Sequence, residues 1–231
     1  MNALIIGATG LCGSGFLKYA KQSGKFQKIY TITRKELPLA ATTTTASVDS
    51  SAIESVVEKD SSLWKNRVPE DVHIMFSALG TTRADANGLE NQIKIDHDLN
   101  LELAEAAKKN GCKVYVLVSS IGADSNSRFG YSKMKGDIEK DVIALGFDKT
   151  IILRPGILLG DRSTSHKGFG NDIAVKVCGF FYRTPLQRFF INPIYGDEVA
   201  KVGVKLALDD SVTDKVKILE SDEILKLSGG V

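Results

Sequence analysis

MNALIIGATGLCGSGFLKYA, residues 1–20, is the stretch that decides the fold. Its apolar run from Ala3 to Ile6 is short and partly β-branched, which indicates a buried strand. From Leu11 to Ala20 the large apolar side chains recur at helical spacing. Between the two segments lie three evenly spaced glycines: Gly7, Gly10 and Gly13. The stretch therefore predicts a strand, a tight turn and a helix.

The glycine turn has two explanations. Glycine tolerates positive φ and lets the backbone approach a ligand closely, and a helix that begins there offers unpaired N–H groups to a phosphate. A dinucleotide pyrophosphate is such a ligand, although the G-x-x-G-x-x-G spacing differs from the commoner G-x-G-x-x-G. The alternative is that the glycines only close a tight turn between strand and helix.

Composition and charge exclude several classes of protein. The 231 residues are 43% hydrophobic and 25% charged, which is typical of a globular chain. A net charge of +2 with dispersed basic residues argues against nucleic-acid binding. Three scattered cysteines and three histidines match no metal motif, so we expect a reducing compartment and no metal. No apolar run reaches the ~18 residues of a membrane span, and the first strand leaves no room for a leader, so we expect any membrane contact to be peripheral.

Strands and helices alternate along the first part of the chain. Strands are predicted at 28–37, 55–58, 72–83 with its exit loop, 112–120 and 150–160, and helices at 88–110 and 131–145. This alternation predicts an α/β, Rossmann-like, doubly wound parallel sheet. Because no linker or repeat interrupts the sequence, we expect one domain over 1–231. Its cofactor-binding core would cover 1–160, and 161–231 would form a small, irregular substrate-side region.

The end of the second predicted strand indicates which dinucleotide is bound. In this fold, a carboxylate about 20 residues beyond the glycines favours a free ribose 2′-hydroxyl, whereas a cation there accommodates a 2′-phosphate. Arg34 and Lys35 stand at this point, and Glu36 lies one step further along. We therefore expect NADPH rather than NADH. The alternative is a solvated pair of charges in a loop.

A second group of residues carries acid/base chemistry. Tyr131 and Lys135 are four residues apart, so on a helix they share one face. A phenol titrates near ~10, and an adjacent ammonium stabilises its ionised form. Ser119 and Ser120 end the preceding strand, where parallel sheets place their ligands, and either hydroxyl would hold a substrate carbonyl.

The segment CGFFYRTPLQRFFINPIYG, residues 178–196, mixes aromatic and basic residues. One interpretation is that it packs on the substrate side of the sheet, since aromatic clusters usually belong to a core. The other is a basic and aromatic surface that contacts a membrane or a partner protein. The polar run at 42–45 and the glycine-bearing loop at 167–171 are predicted as loops.

Several motifs together resemble the atypical short-chain dehydrogenase/reductase family. They are GATGLCG, SALGTTR, KIDHDLNLELAEAAK, VLVSSIGAD, YSKMKGDIE and LRPGILLGDR, and a fainter match continues through IYGDEVAKVG at 194–203. Within the family, the chain is similar to the Tat-interacting-protein-like branch and its yeast mitochondrial members. The resemblance implies a Rossmann fold with NADPH along the carboxyl edge of the sheet.

The resemblance also assigns roles to residues of this chain. It implies that Gly7, Gly10 and Gly13, with Thr9 and Leu11 beside them, hold the pyrophosphate. Arg34 would bind the 2′-phosphate and Asp60 would lie near the adenine. The middle of the cofactor would be lined by Ala78, Leu79 and Gly80. Tyr131 would be the catalytic acid/base, Lys135 would stabilise its phenolate and bind the ribose, and Ser120, with Ser119 as the alternative, would anchor the carbonyl. Pro155 and Gly156 would shape the nicotinamide pocket.

Two hypotheses of function follow from the resemblance. The first is an oxidoreductase that moves hydride between NADPH and a small carbonyl or alcohol. The second is an NADPH-binding regulatory protein that acts through a protein partner. Many extended members carry an asparagine in the helix before the serine strand, and Lys94 stands there in this chain. The yeast members imply a peripheral place on the cytosolic face of the mitochondrial outer membrane.

Overall fold

The computed structural model describes residues 1–38, 52–160, 179–180, 182–184, 187 and 191–229. The predicted loops at 42–45 and 167–171, and most of the basic and aromatic segment, lie outside these ranges. The strands in the described ranges are β1 (Asn2–Ile6), β2 (Lys28–Thr33), β3 (Ala52–Val57), β4 (Ile74–Ser77), β5 (Val114–Val118), β6 (Lys149–Arg154), β7 (Leu158–Leu159), β8 (Ile194–Tyr195) and β9 (Val216–Glu220).

In the described part of the chain, seven of these strands form one parallel sheet in the order β3-β2-β1-β4-β5-β6-β9. The strand order reverses beside β1, between β2 and β4. Open parallel sheets bind their ligands in the crevice at the carboxyl ends of the strands at such a reversal. The predicted Rossmann-like fold is confirmed.

Helices cover both faces of the sheet. They are α1 (Leu11–Ser23), α2 (Leu89–Ile93), α3 (Asn100–Lys109), α4 (Gly130–Ala144), α5 (Gly196–Leu208) and α6 (Ser221–Leu227), with a 3₁₀ helix at Ser61–Arg67 and a π-helix at Lys94–Leu99. All five residues of β1 are buried. Ala3 and Ile5 join the core on the side of α1 and α5, whereas Leu4 and Ile6 face α3 and α4. Coverage on both faces explains why this strand is continuously apolar.

Two of the predicted strands end several residues before their predicted limits. The second strand ends at Thr33 rather than Leu37, and the Thr33 hydroxyl donates a 2.7 Å hydrogen bond to the carbonyl of Lys35 as the chain turns. The predicted strand at 150–160 is divided because Pro155 has no N–H to continue the ladder after β6. Its second half is β7, which pairs with β8 apart from the main sheet.

The C-terminal part is more regular than the sequence indicated. From Ile194 the chain forms β8, α5, β9 and α6, and β9 adds the last strand to the sheet beside β6. A Cβ on Gly15 of α1 would lie 2.7 Å from the Cβ of Ala200 in α5, so small residues let these two helices approach closely. This part of the chain therefore belongs to the core of the domain.

Candidate functional site

A cleft of about 460 Å³ lies at the carboxyl ends of β1, β4 and β5. Its walls come from the first turn of α1, the loop that follows β4, and the first turns of α4. Eight of the residues predicted to bind a cofactor line it: Thr9, Gly10, Leu11, Ala78, Leu79, Gly80, Tyr131 and Lys135. The fold thus brings together three segments that the sequence places far apart.

The glycine turn packs backbone against backbone. Gly7 has φ +79°, and a Cβ there would lie 2.5 Å from the carbonyl oxygen of Ala78. Gly10 is the N-cap of α1 and has no side chain to cap the helix. Gly10, Leu11 and Cys12 line the cleft, so α1 begins at its wall and the N-cap has no side chain between the helix and a ligand, which fits the requirements of a bound phosphate.

Tyr131 and Lys135 lie on one face of α4, as their spacing predicts. The Lys135 ammonium is 6.0 Å from the centroid of the Tyr131 ring. Lys135 is 5% exposed, whereas Tyr131 is 44% exposed at the mouth of the cleft. The phenol therefore faces the space where a substrate would enter, and the ammonium lies beneath it.

A buried carboxylate holds the lysine in place. Asp96 is 1% exposed, and its Oδ2 lies 3.4 Å from Lys135 Nζ. Its Oδ1 accepts a 2.7 Å hydrogen bond from the backbone N–H of Thr81 in the loop after β4. Burial raises the pKa of the Asp96 carboxyl, and the Lys135 ammonium and the Thr81 N–H oppose that rise. Asp96 therefore joins α4 to the loop that lines the cleft.

The two serines at the end of β5 have different surroundings. Ser119 lines the cleft, but its hydroxyl donates a short hydrogen bond to the buried carboxylate of Glu139. Arg154 holds that carboxylate through two hydrogen bonds of 3.0 and 2.6 Å. The partly exposed Ser120 hydroxyl makes only a 3.4 Å contact with the carbonyl oxygen of Ile121. Ser119 therefore lines the cleft, whereas Ser120 makes the longer and weaker hydrogen bond.

The remaining predicted residues lie outside the lining of the cleft. Arg34 is exposed where β2 ends, and its guanidinium forms no hydrogen bond or ion pair with a residue of the described ranges. Asp60 is exposed and caps the 3₁₀ helix; hydrogen bonds from the Ser62 hydroxyl and amide lower its pKa. Pro155 is buried, and its carbonyl accepts a 2.9 Å hydrogen bond from Ile121. The roles of these residues toward a cofactor stay predictions.

Asp96 is a site residue that the sequence analysis missed. A regular helix was predicted over 88–110, with Lys94 at the asparagine position of the extended members, but Lys94 is exposed and pairs with Glu90 at 3.3 Å. The π-helix adds a residue to the turn, so Asp96 faces inward toward Lys135. The available signal was an acidic residue between the apolar positions Ile95 and Leu99.

We expect Asp96→Ala to lower the free energy of unfolding by about 3 kcal/mol, because it leaves a buried ammonium without its counter-ion. Urea unfolding at neutral pH measures this change. Glu90→Ala is the matched control, because it removes an exposed ion pair on the same helical stretch, where we expect a change near zero. Equal losses from the two variants would contradict a structural role for the buried pair.

The residues that the structure describes contain neither a metal site nor a membrane-spanning helix. Among them, no group of three or more histidine, cysteine, aspartate or glutamate side chains is arranged to hold a metal ion. Likewise, none of the helices within the described ranges combines the length and the apolar character needed to cross a membrane.

The chain matches known proteins along its whole length. The HIM1 family model matches residues 44–180. "Protein FMP52, mitochondrial" of Kluyveromyces lactis is 55% identical over 228 residues, which are 99% of each chain. The chain belongs to the HIM1 family. "Protein FMP52, mitochondrial" of Saccharomyces cerevisiae is 50% identical, over 100% of this chain and 98% of its own.

Solved structures similar to this HIM1 chain share its fold at low identity. MoeE5, in complex with UDP-glucose and NAD, superposes with a TM-score of 0.67 at 13% identity, over 99% of this chain and 81% of its own. The UDP-glucuronic acid 4-epimerase of Bacillus cereus, in complex with NAD, superposes with a TM-score of 0.66 at 11% identity. The match covers 95% of this chain and 76% of the epimerase chain. These similarities confirm the Rossmann fold.

Proposed function

We propose that this HIM1 protein is an NADPH-dependent oxidoreductase that moves hydride between the nicotinamide and a small carbonyl or alcohol. One observation carries the proposal: Tyr131, Lys135 and the open N-terminus of α1 line the same cleft. A phosphate site alone would serve any nucleotide, whereas a phenol and an ammonium beside it are suited to proton transfer. MoeE5 and the epimerase share the fold and bind NAD, which supports a nicotinamide cofactor in this cleft.

Each side chain has a proposed part in the reaction. The nicotinamide would supply the hydride chemistry when bound. The Tyr131 hydroxyl gives its proton to the carbonyl oxygen during reduction, and the Lys135 ammonium stabilises the resulting phenolate. Asp96 keeps that ammonium in position. Ser120 donates a hydrogen bond to the carbonyl oxygen, because the proton of Ser119 is already held by Glu139.

We expect NADPH to bind at least about tenfold more tightly than NADH, a difference of ~1.4 kcal/mol. The exposed Arg34 guanidinium lies where β2 ends and would pair with the 2′-phosphate. Parallel calorimetric titrations of wild type and Arg34→Ala test this. In the variant, the affinity for NADPH should fall to that for NADH, while NADH, which lacks the 2′-phosphate, serves as the control ligand. Binding of neither cofactor by the wild type would overturn the proposed function.

A second candidate is an NADPH-binding regulatory protein with little or no turnover. Two large apolar side chains favour it, because Phe129 and Phe180 are 79% and 81% exposed. Binding of a partner protein would bury these rings, which is favourable because apolar surface leaves water. A Tyr131→Phe variant separates the two candidates, because an enzyme would lose turnover whereas a regulatory protein has little or none to lose.

We further propose a mitochondrial location, because the relatives from K. lactis and S. cerevisiae are named mitochondrial. The finer proposal is peripheral attachment to the cytosolic face of the outer membrane. Protease treatment of intact mitochondria, followed by carbonate extraction, tests both parts. Digestion without membrane rupture and release by carbonate are the expected results.

A further inference from the structure

A second cavity, of about 350 Å³, adjoins the cofactor cleft. The two cavities share Thr81, Thr82 and Tyr131 as lining residues. Tyr131 therefore lies at the boundary between the two cavities. The second cavity is placed to hold the part of a substrate that extends beyond the reacting carbon.

The loop between β4 and α2 that forms one wall of this cavity is fixed by hydrogen bonds. The Thr81 N–H donates to Asp96, and the Thr81 carbonyl accepts a 2.9 Å hydrogen bond from the buried Gln92 side chain. The Arg83 carbonyl accepts a 2.9 Å hydrogen bond from the N–H of Gly88. The backbone of Arg83 is thus held on both sides, and its side chain is presented at the cavity.

Arg83 gives this cavity its charge. It is the charged member of the described lining, which otherwise contains hydroxyl, amide and apolar groups and no carboxylate. Its guanidinium forms neither an ion pair nor a side-chain hydrogen bond with any residue of the described ranges. Arg154 and Arg183, by contrast, pair with Glu139 and Glu198 at 2.6 and 2.7 Å. An unpaired guanidinium on a fixed loop is suited to a planar anion such as a carboxylate.

We propose that the second cavity selects carbonyl substrates that carry a carboxylate, and that Arg83 pairs with that carboxylate. The inference rests on the proposed oxidoreductase function, in which Tyr131 marks the reacting carbon. Leu89, on the same wall, offers an apolar surface to the carbon skeleton between the two polar ends of the substrate. Neutral carbonyl compounds would lack the ion pair and bind more weakly.

The test uses the protein saturated with NADP⁺ and two matched probes, 4-carboxybenzaldehyde and its neutral analogue 4-carbamoylbenzaldehyde. Calorimetry should show that the wild type binds the carboxylate probe about tenfold more tightly, as expected for a charge-assisted hydrogen-bonded pair. Arg83→Gln should reduce the preference to within about twofold, and Arg83→Lys should retain part of it. Arg128→Gln is the control, since it removes an exposed arginine that does not line the cavity and should keep the full preference.

Equal binding of both probes by wild type, no binding of either, or an unchanged preference in Arg83→Gln would overturn the inference. NADPH-dependent reduction of both probes is measured separately. Turnover without a preference that depends on Arg83 would leave the oxidoreductase proposal standing and remove the carboxylate site. A preference that depends on Arg83, without turnover of either aldehyde, would keep the anion site and contradict the enzymatic function.

Discussion

Replacing Tyr131 with phenylalanine should lower the turnover number at least about a hundredfold, the range in which a general acid contributes. The ring that lines both cavities stays in place, with the Lys135 ammonium 6.0 Å from its centroid. Only the proton that would pass to the carbonyl oxygen is lost. We therefore expect the affinity for NADPH to change less than about twofold, which calorimetry measures beside the steady-state rate.

Tyr195→Phe is the matched control for this prediction. Tyr195 is 43% exposed, close to the 44% of Tyr131, but it caps α5 outside the cleft, so turnover should not change. Wild-type turnover in Tyr131→Phe would show that another group carries the proton. A wild type that binds NADPH but reduces no carbonyl compound would favour the regulatory protein instead.

Gly13→Ala is expected to be strongly destabilising. Its Cβ would lie 1.9 Å from the carbonyl oxygen of Gly7 and 2.9 Å from the Cα of Ala8, so α1 must shift away from the turn. Backbone atoms cannot relieve the clash by changing rotamer, as a side chain can. We expect a loss of about 3 kcal/mol of folding free energy. The corresponding fall in Tm is about 6–12 °C.

Gly10→Ala tests whether the effect comes from the close contact. A Cβ at Gly10 would lie 3.3 Å from the same Gly7 oxygen, with an ordinary φ of −91°. We expect a much smaller change in the thermal unfolding midpoint of this variant. Equal midpoints for the two variants would mean that the turn is looser than its geometry indicates. Titration of both variants with NADPH shows whether the shift of α1 also removes the phosphate site.

The sequence allowed the order of strands and helices to be predicted because each buried strand is a separate apolar run. It also allowed the pairing of Tyr131 with Lys135, since both lie on one helix. Asp96 could not be found in the same way. It lies in the π-helix, and its partners, Lys135 of α4 and Thr81 of the loop after β4, are distant in the sequence.

Long-range hydrogen bonds also escaped the sequence analysis. Glu139 and Arg154 are 15 residues apart and lie on different elements, yet their ion pair holds the hydroxyl of Ser119. The difference between the two adjacent serines arises from that pair and not from local sequence. Likewise, β9 lies at the edge of the sheet with Leu219 as its one buried residue, so it lacks the continuous apolar run that marks the central strands.

The strand order determines when each strand can pair with its neighbours during synthesis. β1, early in the chain, lies inside the sheet, and β9, near its end, lies at an edge beside β6. During synthesis the glycine turn therefore leaves the ribosome before any of its neighbours in the sheet. Until residues 216–220 have emerged, the main-chain groups of β6 have an open side. A nascent chain passes through a stage in which the future cleft exists and the sheet beside it still exposes an unpaired edge, a state of the kind that chaperones protect.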